Sequence, residues 1–542
     1  MNNNFIFPAE IFQSGMVLQR DKDITIWGTT AADLKIQATL TDSEGNRLAE
    51  SSNITIEKSF TLTLPPQSVA RDLTLTISAE SENVPDIVLT DVAVGDVWLA
   101  GGQSNMEFFL KYDEDWDTTM SLPKIPDIRM YNVPQRAFEG HTSHGPVGYG
   151  YWLKEGDEGF ENFSAPAYSF ARHIHSEVDI PIGLVGCNWG GSTASAWVPE
   201  EVLSKSPLDL YLNEYNEAVK GIDPEKIKED SLAGWAHDDA PENSKEFEPV
   251  LYGIGREEQL IYIKEHAGNP VIPMGPYNMN RPSGLYHTML EKIIPFGLKG
   301  ALWYQGESDC GNRASIYDKL LTAMIEDWRS EWQDSFPFYI VQLAPFGVWL
   351  ECGNEEYKVV RQMQRKVADT VPDVYMASIM DIGSYYDIHP KKKMEVGRRL
   401  ALLALNHTYK KEVLGASPVY KDLLIHGNHQ IKVRFTYADG LHTSEGHTDF
   451  WISKDNEIVA ATKRNSDDLP TGAAGSDAIV ISQNAQYALT YEVIDDSVVI
   501  DLPDEVTIAP GKMTLSCGYA DYAEINVHNE AGLPIEPFEI SF

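Results

Sequence analysis

Cysteine is scarce in this chain. The four present, Cys187, Cys310, Cys352 and Cys517, lie far apart, with no Cys-x-x-Cys pair and no His-Cys cluster. That pattern excludes a disulfide scaffold and offers no zinc site. Long apolar runs are missing too, since none approaches the roughly 20 residues that span a bilayer as a helix. The start, Met1-Asn2-Asn3-Asn4-Phe5-Ile6-Phe7-Pro8, has no basic stretch leading into an apolar one. No signal peptide is therefore expected, and the location expected is cytoplasmic. Basic residues are outnumbered 43 to 81, giving a formal net charge of −38. Such a chain repels nucleic acid and anionic membrane surfaces, so neither is expected as a partner. There are no internal repeats, no low-complexity segments and no Gly/Ser- or Pro-rich linkers.

What is present changes character along the chain. At 542 residues it exceeds one hydrophobic core, and two to four domains are expected. Residues 5–90 alternate apolar and polar, as in Lys35-Ile36-Gln37-Ala38-Thr39-Leu40, with turn signals between. This predicts a small antiparallel β domain over 1–90. From 91 the pattern becomes buried strands with intervening helices, which predicts an α/β domain with a parallel sheet over 91–408. Residues 201–285 are acidic and helical in pattern and end in a Pro/Gly/Asn-rich loop, so they read as an insertion. A last helix is expected over about 391–405, where Val396, Leu400 and Leu403 share one face. Residues 409–542 return to alternation and predict a C-terminal β domain. With no linker on either side, both β segments are expected to pack on the α/β domain.

The chemistry concentrates in short blocks. Residues 92–101 run apolar with one polar break, as a strand buried on both faces does. Gly102-Gln103-Ser104-Asn105-Met106 follows, placing Ser104 where open α/β sheets put their ligands. A serine there fits a helix N-cap, and it fits a nucleophile if a base takes its proton. Asp387-Ile388-His389-Pro390 supplies a histidine with an acid two positions earlier. On extended chain that spacing brings both side chains to one side, so Asp387 is placed to orient the His389 imidazole. Asp381 is the alternative orienter. His141 and His447 share the spacing, but only His389 stands just before the last helix of the α/β domain. A third segment, from Gly300 through Trp303-Tyr304-Gln305-Gly306-Glu307-Ser308-Asp309, again reads as a buried strand ending in polar groups.

In order, and with Cys187-Asn188-Trp189-Gly190-Gly191-Ser192-Thr193 between the first and third, these blocks resemble the sialate O-acetylesterase-like branch of the SGNH hydrolases. Its hallmarks are the GQSNM, WYQGES and DIHP blocks. Met16-Val17-Leu18-Gln19-Arg20 and Asn529-Glu530-Ala531-Gly532-Leu533-Pro534 also look like this family, so the resemblance covers almost the whole chain. It implies a three-layer α/β/α catalytic domain flanked by sandwich- or jelly-roll-like β segments. It also implies a serine esterase without metal or organic cofactor, acting on an acetylated oligosaccharide. Ser104 is then the nucleophile, His389 the base and later the acid, and Asp387 its orienter. The implied oxyanion donors are the N–H groups of Ser104 and Gly191 and the side-chain amide of Gln305. Trp189, Glu307 and His287 are the expected substrate-side residues, Glu307 as an acceptor and not an acid catalyst. Tyr286-His287-Thr288-Met289 stands where many relatives carry Tyr-Asn-Gly-Met, so His287 is expected to shape the pocket differently.

For the substrate, the negative charge and the lack of an arginine cluster beside the blocks favour neutral xylan-, xyloglucan- or mannan-derived fragments. Acetylated sialic acid is the alternative. A non-catalytic carbohydrate-binding protein is the rival of another class, opposed by the intact blocks. A lipase or thioesterase calls for a broad apolar acyl pocket, whereas Trp98, Trp189, Trp303 and Tyr304 near the motifs look like sugar-stacking walls.

Overall fold

The computed structural model of the chain describes residues 5–81, 83–142, 145–464 and 477–542. Its architecture is organised by one long strand, β1 (Ile87–Gly102), which is buried continuously from Val92 onward. β1 is flanked by β2 (Ile128–Asn132), β3 (Ile182–Asn188), β4 (Gly300–Tyr304), β5 (Phe338–Val341) and β6 (Val374–Ala377) in the order β2-β3-β1-β4-β5-β6. Every pairing along this path is parallel. Trp152–Lys154 adds an antiparallel edge on β2. The fold is thus mixed α/β with several sheets. The near-continuous apolar sequence of β1, β3 and β4 follows from burial on both faces, which parallel sheets require.

Four helices cover much of this sheet: α1 (Ala165–Val178), α2 (Tyr317–Trp332), α3 (Tyr357–Thr370) and α4 (Lys393–His407). α1 packs on α4, and α2 on α3. The α1–α4 approach depends on Gly397, where a Cβ would come within 2.3 Å of the Pro166 carbonyl oxygen. Trp98 of β1 meets Phe170 of α1 edge-on at 4.8 Å.

The first half of β1 pairs antiparallel with Ala70–Ala79, so the N-terminal β segment and the parallel sheet share a strand. The boundary drawn from sequence between 90 and 91 falls inside that strand. Apolar residues of the N-terminal segment and of the α/β region form one continuous core. The insertion forms helices Asp209–Val219, Pro224–Asp238, Pro241–Tyr252 and Arg256–His266. It is tied to the catalytic end of the sheet, with Lys391 Nζ donating to the Leu251 carbonyl at 2.5 Å and Gln259 Nε2 to that of Tyr386 at 2.8 Å.

The C-terminal segment forms an eight-stranded sheet, among the described residues, with a core of its own. Charged groups dock it. The buried Arg361 donates to the carbonyls of Ala520 and Asp521, and Arg365 pairs with Glu536 at 3.0 Å. Asp381 grips Arg399 through two bonds of 2.6 and 2.7 Å and accepts from His528 at 3.1 Å. Burial opposes the Asp381 charge, but Arg399 and His528 outweigh it and hold the carboxyl well below its ordinary 3.8. A carboxyl depressed on folding stabilises fully above its unfolded pKa, and that contribution drains as pH falls toward its folded value. Asp381→Ala should therefore cost up to about 3–5 kcal/mol at neutral pH, because it removes two charge-assisted bonds and leaves the buried Arg399 with Glu395 as its one carboxylate among the described residues. In thermal unfolding from about pH 5 down to about pH 2, the variant should lose less stability on acidification than the wild type. Parallel curves would refute this role.

Candidate active site

The strand register brings the sequence blocks together. Gly102 of β1 pairs with Asn188 of β3 on one side and Tyr304 of β4 on the other, so all three strands end at one level. Residues just past those ends, Ser104, Trp189 to Gly191 and Gln305 to Glu307, converge at the carboxyl edge of the sheet. Gly102 has φ +138°, and a Cβ there would lie 2.2 Å from the Tyr304 carbonyl oxygen, so only glycine lets the chain turn off the strand here. Ser104 opens a short helix, Ser104–Glu107.

Ser104 Oγ lies 2.9 Å from His389 Nε2. His389 is 3% exposed and held under the edge of Trp349, with ring centroids 4.8 Å apart. Burial first, then the charges of Lys391 and Lys393, hold its pKa well below 6.5, so the ring is neutral at physiological pH. Asp387 Oδ1 accepts the His389 backbone N–H at 2.8 Å and stands 3.8 Å from Nδ1, while Oδ2 pairs with Lys391 at 2.8 Å. Nδ1 is buried and has no hydrogen-bond acceptor at this separation. Asp381, the alternative orienter, belongs to the C-terminal docking contact and does not reach His389.

The glycine loop is held from two sides. Glu107 Oε2 accepts the Gly190 N–H at 2.6 Å, and Asn280 Nδ2 and Ser308 Oγ each donate to the Gly191 carbonyl at 3.1 Å. Burial pushes the Glu107 carboxyl up, against donors from Gln135, Gly190 and Tyr149. The N–H groups of Ser104 and Gly191 have no protein acceptor among the described residues.

Gln305 departs from expectation. It is fully buried, and its amide nitrogen already donates to Gln103 Oε1, the Ser192 carbonyl and Asp309 Oδ2 at 3.1, 3.2 and 2.7 Å. Tyr317 donates to its Oε1 at 2.8 Å. No hydrogen is left for an oxyanion, so Gln305 is a brace. The side chain it braces is Gln103, whose Oε1 also accepts the Ser308 N–H at 3.2 Å. Gln103 lines the cavity at Ser104, and with its oxygen pinned twice its NH₂ is the end left open. The only signal for this in the sequence was that Gln103 directly precedes Ser104.

A buried trio behind Ser104 was not anticipated either. Lys393 Nζ donates to Asn105 Oδ1 at 2.6 Å, and Asn105 Nδ2 donates to Glu307 Oε1 at 2.5 Å and to the Ile388 carbonyl at 3.0 Å. Burial, aided by Lys391, lowers the Lys393 pKa to about 7 against the pull of Asp387, Glu307 and Asp113. Burial raises that of Glu307. Lys393 closes the run Lys391-Lys392-Lys393, which reads as a solvated surface.

The Ser104–His389 pair opens into a cavity of about 630 Å³, walled by Phe108, Tyr112, Trp189 and Trp349 and roofed by Phe247 and Leu251 of the insertion. Glu307 lines it, as does Trp189. Trp98, Trp303 and Tyr304 do not; all three are core residues at most 1% exposed. Parallel-strand residues this close to the motif pack inward, which overturns their reading as sugar walls. His287 also lies elsewhere, bonded to Glu200 at 2.8 Å and Glu291 at 3.0 Å on the surface. Those carboxylates raise its pKa although burial opposes them.

Comparison with known proteins agrees with this geometry. The sequence profile of the family described as carbohydrate esterase, sialic acid-specific acetylesterase, matches residues 94–230 and 274–406. Sialate O-acetylesterase of Rattus norvegicus is 24% identical over 424 residues, covering 73% of this chain and 72% of that protein. The Homo sapiens protein of the same name is 23% identical over 452 residues, covering 77% and 74%. The crystal structure of a carbohydrate acetylesterase from Xanthomonas citri superposes with a TM-score of 0.69 at 24% identity, covering 99% of each chain. With its motif blocks converging on one cavity, the chain belongs to this carbohydrate esterase family and is a carboxylic ester hydrolase.

Proposed function

We propose that the chain is a serine carbohydrate O-acetylesterase, working through an acyl-enzyme on Ser104 in an SGNH-type three-layer α/β/α core. The observation that carries this reading is the 2.9 Å contact between Ser104 Oγ and a buried, neutral His389 at the floor of an aromatic cavity. His389 Nε2 takes the Ser104 proton as Oγ attacks the acetyl carbonyl. The N–H groups of Ser104 and Gly191 and the amide of Gln103 receive the developing oxyanion. The imidazolium then protonates the leaving sugar oxygen, and water, activated by the same ring, releases acetate and restores Ser104. Asp387 orients the ring and stabilises its cation. Its 3.8 Å gap to Nδ1 is of the kind that tightens only when the ring becomes charged.

Neutral xylan-, xyloglucan- or mannan-derived oligosaccharides suit the cavity best, since its lining includes Glu355 and, among the described residues, neither Lys nor Arg, while burial drives Glu107 and Glu307 toward uncharged carboxyls that hydrogen-bond hydroxyls. Acetylated sialic acid is the second reading, favoured by the names of the mammalian relatives. A sugar carboxylate finds no cation in this lining. The contact of Ser104 with His389 speaks against a purely binding role.

Ser104→Ala should cut turnover of 4-nitrophenyl acetate by on the order of 10⁴–10⁶-fold; activity near wild type removes the assignment. In the same assays, acetate release from acetylated xylo- and manno-oligosaccharides should exceed that from 9-O-acetyl sialic acid. A tenfold preference for the sialic acid in kcat/KM, about 1.4 kcal/mol, would reverse the choice of substrate.

Gln103→Ala should lower kcat by about 10²-fold with KM little changed, the signature of a lost oxyanion donor. A loss confined to KM would place Gln103 outside the oxyanion site.

Because only neutral His389 accepts the serine proton and its pKa is lowered, the acid limb of kcat/KM should fall well below pH 6.5. Lys391→Ala removes a cation that lowers this pKa and should move the limb upward. A limb at or above 6.5 in the wild type would contradict the neutral, buried base.

A further inference from the structure

A second cavity, of about 460 Å³, adjoins the catalytic one, and Trp189 lines both. Trp235, on the insertion helix Pro224–Asp238, lines it beside Trp189 and is held by a 2.8 Å bond from its Nε1 to the Tyr277 carbonyl. The two indoles stand 5.6 Å apart at 46°, and the His141 ring lies 4.7 Å from Trp235. His141 Nδ1 accepts the Ala137 N–H at 3.1 Å, which fixes the proton on Nε2. Among the described residues that Nε2 is buried without a hydrogen-bond acceptor, and an Asp239 carboxylate oxygen stands 3.6 Å away. The side chain is 7% exposed and its ring packs between those of Phe138 and Trp235, so His141 buttresses the wall of the cavity.

The lining also carries Asp238 and neither Lys nor Arg. Carboxylates accept hydrogen bonds from hydroxyls and repel anions. The half-buried Trp189, with Trp235 packed against it, offers an electron-rich ring to the positively polarised C–H hydrogens of a pyranose face. These groups describe a neutral sugar ring and exclude a sugar acid.

We propose that this cavity is a second subsite, holding a neutral sugar unit joined to the acetylated unit at Ser104. The proposal rests on the esterase reading above and extends it to the substrate's length and charge. Trp189 is the partition that one glycosidic step crosses. Asn280, which also lines the second cavity, holds the glycine loop through Gly191 and Thr193, so the subsite abuts the oxyanion loop directly.

The test compares Trp235→Ala and Asp238→Arg with the wild type on acetylated xylotetraose, acetylated xylose and 4-nitrophenyl acetate. Both variants should lose about tenfold or more in kcat/KM on the tetrasaccharide, mainly through KM, and remain within about twofold on the two short esters. Intact hydrolysis of the short esters shows that the variants are folded, and Asp238, half exposed, gives a substitution that the fold tolerates. Equal losses on long and short esters, or none on the tetrasaccharide, would overturn the subsite. Calorimetry with unacetylated xylotetraose tests it apart from catalysis, since binding should be seen with the wild type and weakened at least tenfold in Trp235→Ala. If the wild type bound the sugar but hydrolysed no ester, the esterase reading would fall and the subsite would stand. Absence of binding, or binding untouched by Trp235→Ala, would overturn the subsite itself.

Discussion

The parallel pairing of β1 with β3 and β4 decides where Ser104 and the loops beside it lie. Because Gly102, Asn188 and Tyr304 share one register level, three loops that are remote in sequence leave the sheet side by side. Ser104, the Gly190–Gly191 turn and the Gln305–Glu307 segment are then neighbours through backbone geometry, with no side-chain contact needed to gather them. A register slip of one residue would reverse the alternation of β1 and carry Ser104 off this edge. β1 is also the strand that the N-terminal β segment extends, so disturbing that segment acts on the site through the same strand.

Burial supplies the second constraint, by setting protonation. His389 and Lys393 are driven toward their neutral forms, and Glu107 and Glu307 are also driven toward theirs. A neutral imidazole is what a base must be before it acts. The imidazolium that forms later is unfavourable in the same environment unless an anion answers it, and Asp387, 3.8 Å from Nδ1, is the acid that stands there. Lys391 complicates this, since it holds the other Asp387 oxygen while its charge bears on the ring. The Lys393–Asn105–Glu307 chain ties the helix opened by Ser104 to the loop carrying His389, so that serine and histidine are positioned by one buried network.

Much of this was legible in the sequence where chemistry and strand pattern coincide. Ser104 after an apolar run and His389 before the last helix stand where the pattern puts them, whereas Asp387, just before a bend at Ile388 and His389 and not on extended chain, accepts the His389 backbone N–H and stands 3.8 Å from Nδ1. The failures share a physical cause. Gln305 and Gln103 are the same residue type at equivalent strand ends, and which amide faces the cavity depends on Asp309, Ser192 and Tyr317, none of them near Gln103 in sequence. Trp98 and Trp303 lie close to the motifs, but on strands buried on both faces, where an aromatic ring becomes core. Lys393 follows two lysines, yet the turn into α4 directs it inward. The roof of the cavity comes from Phe247 and Leu251, in a segment whose acidic helical pattern carries no hint of what it covers.

That insertion bears on selectivity through charge as well as shape. Its face toward the sheet contributes Phe247, Leu251 and Trp235 to the cavities, and among its charged residues the linings take Asp238 and Asp239 but no lysine or arginine. Fields focused in a cleft with low-dielectric walls repel anions of either origin, substrate or product. On the proposed mechanism a neutral acetylated sugar would enter without electrostatic penalty, and the transition state would gain from oxyanion donors that the uncharged ester engages less strongly. On the proposed mechanism, the acetate released by deacylation would be an anion beside Glu355, with Glu107 and Glu307 driven toward neutrality and no Lys or Arg in the lining among the described residues. An arrangement that disfavours an acidic sugar would then also favour departure of the acid product, because both discriminations come from the same lack of a cation in the lining.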